Sequence, residues 1–433
     1  MTERIAVIGG GISGLSAAYF ALRKGYAVDL FEKDDQWGGL ASSFDLGGTP
    51  VEKYYHFICG GDARLIDLAR ELGLESRLTF RPSRTSNFYN GKLYPFSTPA
   101  DLLGFRPISV LSRLRFGANI AASKIRRTWR KLDDIPARDW LLRRIGRDAY
   151  QAVWHPLLKI KFGPYFDRVS AAWIWHRIHR AASSRRGLFA REKIGYFQGG
   201  SRTLISEMVK TIAAMGGRLH LETEIRGVEK RGNQVCRLDA SPSVSGDYGK
   251  IVLALPLPVS ADLLAKLSPE YAAELSRIPF LAIICGVFRL KKRVTEAFWL
   301  NINDPAIPSS GFIEYSNLNP LPDIAPDHLL YIPFYVSADD PYATLDPSAL
   351  RDELFGMARA VNPGLSPADI ADFRLFKSPF AQAVCLTGFS RRIPPSATPV
   401  ANVYLLDSTQ LYPADRNLSG LIGNAEKMIA SDF

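Results

Sequence analysis

The sequence predicts an α/β chain: a discontinuous Rossmann-type domain joined to an α+β domain of antiparallel sheet and basic helices. Three observations carry this expectation. An apolar run, Ile5–Ile8, leads into a glycine cluster; the succession of strand, glycine turn, helix and strand closes on an acid at Glu32; and a strand, loop and helix around Asp407 end the chain after a long excursion, first helical and basic, then strand-rich.

The opening unit has a mechanical reason at each step. Ile5–Ile8 is short enough for a buried strand, Leu15–Lys24 reads as a helix, and Ala27–Phe31 as a second strand. Gly9, Gly11 and Gly14 fit Gly-x-Gly-x-x-Gly, giving in turn a tight turn, close backbone approach to a pyrophosphate, and close packing of helix on strand. Ile12 and Ser13 begin the helix, whose free amides and positive dipole end favour phosphate. Glu32, followed by Lys33, stands where a carboxylate accepts both ribose hydroxyls. A carboxylate there disfavours a 2′-phosphate, so the motif points away from NADP.

Just beyond the acid, Glu32-Lys-Asp-Asp-Gln-Trp-Gly38-Gly39-Leu40 adds a second glycine pair. With it the chain resembles the superfamily of FAD-dependent amine oxidases, protoporphyrinogen oxidases and phytoene desaturases, in which a Gly-Gly pair follows the ribose-binding acid and passes close to the flavin phosphates. The resemblance implies FAD, held by Gly9, Gly11, Ile12, Ser13, Gly14, Glu32, Lys33, Gly38, Gly39 and Leu40. It resumes at Gly195-Tyr-Phe-Gln-Gly-Gly-Ser201, with a helix to Met215, a strand Arg218–Leu221 and a segment Glu224–Val235 in which Ile225 is implied to lie against the adenine. Lys250–Pro256 resembles the strand after which such chains leave for their substrate domain. At the far end the resemblance implies that Asp407 bonds the ribityl or phosphate region and that the last helix, starting at Leu418 and Ser419, aims its N-terminus at the pyrimidine end of the flavin. Two positions depart from the pattern: Leu406 where Gly usually precedes the aspartate, and Leu40 where amine oxidases carry Arg.

On this reading residues 1–75, 195–260 and 395–433 form the FAD-binding domain, and residues 76–194 and 261–394 the substrate domain, helical over 99–194. A length of 433 residues allows a large core, and 47% hydrophobic with 22% charged residues is ordinary for a globular chain. No apolar run approaches the roughly 18 residues that a membrane-spanning helix needs. The first strand begins at about Arg4, leaving no room for a cleavable signal peptide, so the expected location is the cytoplasm, peripheral on the inner face of the membrane if the basic helices meet lipid. Cys59, Cys236, Cys285 and Cys385 are far apart and form no CxxC pair; reduced core thiols and no metal site are expected.

The net charge of +11 comes from one segment. Phe105–Lys193 holds 21 Lys and Arg against 6 Asp and Glu. Leu114, Ala118, Ala121, Ile125, Trp129 and Leu132 recur at three or four residues and form one apolar stripe, with arginines on the other faces. A second helix, Ala137–Trp154, repeats the pattern. Three readings stand side by side: a solvated basic face on a core helix, a surface for anionic membrane lipids or a lipid-linked substrate, and a pocket for a phosphorylated substrate. Nucleic acid is not favoured, because no recognition module accompanies the charge. Nothing in the sequence sets the oligomeric state.

Catalytic candidates are few. His56, in Tyr54-Tyr-His-Phe-Ile-Cys59, resembles a loop histidine beside the flavin of UDP-galactopyranose mutases, against the alternative of a structural histidine. Thr85–Pro95 reads as a hairpin around Asn90-Gly91. Strands are expected at Ala282–Leu290, Gly311–Tyr315 and Leu329–Val336, and Glu314 and Asn317 near a strand end are candidate site residues, or else a strand terminus facing solvent. His176 and His179 stand at i, i+3 without a cysteine or carboxylate cluster, so no metal site is assigned. Together these features predict an FAD-dependent oxidoreductase that removes a hydride from a C–H bond of an apolar, lipid-linked or glycosyl substrate, of the kind used in isoprenoid or surface-polysaccharide metabolism. The alternative is a non-redox flavin-dependent mutase or epimerase acting on a nucleotide or lipid-linked sugar.

Overall fold

The apolar run after Glu3 forms the middle of a five-stranded parallel sheet. In the computed structural model, which describes residues 3–183, 192–231, 234–244, 246–337 and 340–433, the strand order is Arg218–His220, Ala27–Phe31, Arg4–Ile8, Lys250–Leu253, Val403–Leu405. Successive residues of a strand point to opposite faces. Ile5 and Val7 therefore join one core with Leu15 and Phe20 of the helix Ile12–Arg23, while Ala6 and Ile8 join another with Val228 and Leu238. Both faces being covered explains why these strands read as continuous apolar runs. The helix Ile12–Arg23 packs between Ser201–Ala214 and the terminal helix Leu418–Asp432, which joins both ends of the chain in one layer.

A second sheet of seven strands lies opposite, in the order Ile370–Ala383, Phe280–Leu290, His328–Val336, Gly311–Glu314, Trp299–Ile302, Thr85–Tyr89, Lys92–Pro95. It is antiparallel except where Trp299–Ile302 pairs in parallel with Thr85–Tyr89, so the expected antiparallel sheet is in fact mixed. The hairpin turns at Asn90 and Gly91, both at positive φ, 49° and 69°, as the type I′ geometry demands. The edge strand Ile370–Ala383 escaped the sequence reading. Pro379 within it is tolerated because an edge strand need not donate on its outer side.

The helical segment differs most from expectation. The first basic helix runs from Val110 to Ile125 and stops before Trp129 and Leu132, which lie in a separate short turn. The second breaks at Gly146, whose φ of +92° no helix interior accepts, and continues through a π turn, Tyr150–Trp154, into His155–Phe162. This break turns the last helix onto the strand His328–Val336 and carries Lys161 towards the centre of the molecule. Cys59, Cys285 and Cys385 are buried free thiols, whereas the Cys236 side chain lies outside the described residues, as do residues 184–191 of the basic segment. Among the described residues no helix is long and apolar enough to cross a membrane.

Candidate active site

Between the parallel sheet and the seven-stranded sheet lies a cavity of about 990 Å3. One end is built from the glycine turns. The Gly38 amide donates to the Gly10 carbonyl at 2.8 Å, and Gly11 and Gly38 pair as a parallel bridge, so the second glycine pair is laid against the first. Gly38 sits at φ +116°, a conformation that disfavours any side chain. Glu32 accepts from the Gly10 amide at 2.7 Å and the Asp34 amide at 3.0 Å, and its own carbonyl accepts from Thr223 at 2.8 Å. That last bond holds the segment containing Ile225 beside the acid. Burial raises the Glu32 carboxyl from its ordinary value, against the lowering effect of the amides it faces.

The far end of the same wall comes from the C-terminal segment. Asp407, 5% exposed, caps a short turn by accepting from the Thr409 amide at 2.7 Å. Asn417 caps the terminal helix through the Gly420 amide at 2.8 Å, which leaves the helix N-terminus at Leu418 facing the cavity.

Opposite, the cavity is aromatic and cationic. Tyr54, Tyr55, His56 and Phe57 face Trp299, Tyr335 and Phe376 from the seven-stranded sheet. The Lys161 ammonium lies 4.6 Å from the Tyr335 ring centroid and 5.0 Å from that of Trp173. Arg416 donates to the Tyr335 hydroxyl at 3.3 Å, and its second terminal nitrogen is buried without a hydrogen-bond partner among the described residues. Arg177 pairs with Asp415, and Arg180 is held by both oxygens of Asp62 at 2.8 and 2.9 Å. Among the described residues Asp415 faces the three cations Lys161, Arg177 and Arg416, an excess of positive charge within this group. Burial, together with Arg177 and Arg416, lowers the Lys161 ammonium to about 7 although Asp415 opposes the shift. His56 and His176 are both lowered, principally by burial, His176 to about 4, so both are neutral at pH 7. The Nδ1 atom of His56 is buried and unpartnered among the described residues.

Of the residues singled out from the sequence, Gly9, Gly11, Ile12, Ser13, Glu32, Lys33, Gly38, Gly39, Leu40, Ile225, Asp407, Leu418 and His56 line this one cavity. Gly14 stands behind it: a Cβ there would lie 1.8 Å from the Gly9 carbonyl oxygen, so its place is packing. Three expectations need correction. Ser419 turns its hydroxyl away, accepting from the Leu65 amide at 3.2 Å. Glu314 is fully buried, its carboxylate accepting from the Val294 and Thr295 amides at 2.9 and 3.3 Å, and Asn317 donates to the carbonyls of Thr295 and Ala297. Both brace the loop before Trp299 and neither lines the cavity. The sequence reading missed Lys161, Arg177, Tyr335 and Arg416. A trace existed in Lys161, which interrupts the apolar face of Leu157-Leu158-Lys-Ile-Lys161-Phe162, and in the charge pair Asp415-Arg416 directly before the terminal helix. Among the described residues no group of three or more His, Cys, Asp or Glu could hold a metal ion.

The model of the flavin containing amine oxidoreductase family matches residues 12–409, from the start of the glycine-turn helix to the Asp407 cap. The chain belongs to that family. Membership brings a flavin cofactor, FAD, and the residues fit it: a Cβ at Gly11 would meet no protein atom nearer than the Gly38 carbonyl oxygen at 4.0 Å and would enter the cavity, so the turn keeps open the space a pyrophosphate needs. The chain is similar to a coproporphyrinogen III oxidase of Mycobacterium leprae, 28% identical over 310 residues, covering 64% of this chain and 65% of that protein. It is also similar to a zeta-carotene desaturase of Zea mays, 27% identical over 253 residues, covering 52% and 43%. The chain spans less than two thirds of the length of these relatives. Among solved structures, reduced UDP-galactopyranose mutase superposes with a TM-score of 0.76 at 15% identity, over 99% of this chain and 93% of that one, which shows a shared fold.

Proposed function

We propose that this flavoprotein oxidises an amphipathic substrate that has an apolar body and an anionic group, by removing a hydride from a C–H bond. The observation that carries the proposal is the pairing, in one cavity, of an aromatic wall with the cluster Lys161, Arg177 and Arg416, which a single carboxylate, Asp415, does not neutralise. Bound FAD supplies a two-electron hydride acceptor. The chain's residues do the rest. Tyr54, Tyr55, Trp299 and Phe376 exclude water and orient an apolar body; Lys161 and Arg416 hold the anionic end; neutral His56 can accept at Nδ1 the proton that leaves as the hydride departs, so that substrate loses one hydride and one proton and gains one double bond. The similarity to a coproporphyrinogen III oxidase and a zeta-carotene desaturase supports an oxidation.

A second reading rests on His56. Its position on the cavity wall, together with the fold shared with the mutase structure, supports a non-redox rearrangement of a nucleotide or lipid-linked sugar on reduced flavin. Anaerobic mixing of the oxidised holoprotein with anionic apolar and glycosyl compounds separates the two. Bleaching of the flavin absorbance by a compound of the first class is expected. Turnover that occurs only after chemical reduction, and consumes no further reductant, would replace the oxidation by the mutase reading.

A further inference from the structure

The helix Val110–Ile125 is turned inside out. Its buried positions are Ser112, Phe116, Asn119 and Ser123. Ser112 donates to Asp148, Asn119 accepts from Arg144 at 3.3 Å, and the Ser123 carbonyl lies 2.8 Å from His179 Nδ1. Its outward positions are apolar: Val110 is 64% exposed, Leu111 65%, Leu114 57% and Ile125 78%, with Ala118 and Ala121 exposed between them. At about 100° per residue these six side chains fall within an arc of about 100°, so they form one continuous stripe. Leu103, 54% exposed, continues it on the short helix that packs alongside. Five of the eight large apolar side chains exposed among the described residues lie between 103 and 125. A soluble surface gains nothing from such clustering.

The charges border the stripe. On the same wheel Arg113 and Lys124 flank one edge, and Arg115 and Arg126 the other. Arg113 and Arg115 donate to the backbone carbonyls of Ile108, Leu103 and Arg143, which are neutral acceptors. Residues 102–132 hold eight Lys and Arg and no Asp or Glu.

We propose that this face docks the protein on an anionic lipid surface, with the stripe from Leu103 to Ile125 buried at the boundary of head groups and acyl chains and the flanking cations against lipid phosphates. An apolar stripe bordered on both edges by long cationic side chains matches that interface: the chains lie along the apolar surface while their charged ends reach the phosphates. A second copy of the chain is disfavoured as the occupant, because a self-complementary contact would bring two such acid-free segments together. The helix packs on Ala171–Ser183, whose Trp173, Arg177 and Arg180 line the cavity, so docking would place lipid behind the cavity's helical wall.

The test uses the full-length holoprotein and sedimentation with vesicles of phosphatidylcholine alone or mixed with phosphatidylglycerol, at low and high salt. Binding to the mixed vesicles that weakens with salt is expected. Leu111→Glu combined with Ile125→Glu should abolish it, whereas Lys124→Gln and Arg126→Gln together should lower binding to the mixed vesicles about 30-fold. Flavin absorbance and the melting transition report that each variant is folded. Should the Glu variant fail to fold, Leu111→Cys carrying an environment-sensitive dye gives the same answer: a blue shift on adding mixed vesicles supports docking. The proposal is overturned by wild-type protein that stays in solution at low salt, by Glu variants that bind as well as wild type, by a dye that does not respond, or by a wild-type dimer that Leu111→Glu dissociates.

Discussion

The backbone amide of Gly10 donates to the Glu32 carboxylate at 2.7 Å, clamping the acid that ends one strand to the glycine turn that follows another. That bond fixes one carboxylate oxygen, and the Asp34 amide, at 3.0 Å, holds the other. Glu32→Gln retains an acceptor but loses the charge, and hydrogen bonds to charged groups contribute about 1.5–3 kcal/mol. Its FAD affinity should fall about 10- to 100-fold. Titration of flavin-free protein by fluorescence quenching checks this, and unchanged affinity would remove Glu32 from the cofactor site.

Two glycines of one motif should respond in opposite ways. Gly14→Ala forces a Cβ to 1.8 Å from the Gly9 carbonyl oxygen, so the helix must move off the strand. A loss of about 1–3 kcal/mol or more is expected, seen as a lower melting temperature even without flavin. At Gly11 the φ of −72° suits any residue and the added methyl enters open cavity. Gly11→Ala should melt like wild type as the apoprotein and carry much less flavin as purified.

Glu314 is expected to act on stability and not on turnover. Burial pushes its carboxyl up to about 8, against the two amides it accepts from. Because this value lies above the unfolded one, near 4.5, the group's contribution is present at low pH and is lost as pH rises through about 8. Glu314→Gln should therefore gain stability relative to wild type as pH increases over that window, with flavin content and turnover unchanged. Glu314→Ala, which strands two buried amides, should lose about 1–3 kcal/mol per amide. A large fall in kcat for Glu314→Gln, with stability intact, would restore it to the catalytic group.

Lys161 gives the reverse slope. Its ammonium is lowered to about 7 from 10.5, so between these values the unfolded chain binds more protons than the native one and stability rises with pH. Lys161→Met should be more stable than wild type at pH 7 and should lose that advantage as pH approaches about 10.5. Melting curves of both proteins across this range give the difference directly. If Lys161 holds an anionic group, wild-type affinity should decline above about pH 7 as the ammonium loses its proton, and Lys161→Met should bind weakly and without that step.

The division between what local sequence determines and what tertiary structure decides follows from distance along the chain. The strand, turn, helix and strand of residues 4–32 were legible because each depends on neighbours within a few positions: short runs buried on both faces, a glycine where a carbonyl passes at close range, an acid at the end of a strand. From these the fold class and a dinucleotide site follow, whereas FAD, Asp407 and Leu418 rest on the resemblance of the Gly38-Gly39 pair and of the last segment to the amine oxidase superfamily. Tertiary structure decided the rest. Period alone shows that Leu114, Ala118, Ala121 and Ile125 share a face, but not whether that face meets core or solvent. Asp148, Arg144 and His179 settle it by taking the polar face inward. Glu314 looks the same in sequence whether it ends a strand in water or beneath two amides of a distant loop. Lys161, Arg177 and Arg416 come from three separated segments and meet only when the sheets close on the cavity, where burial and one carboxylate, Asp415, set a charge balance that no stretch of the chain contains by itself.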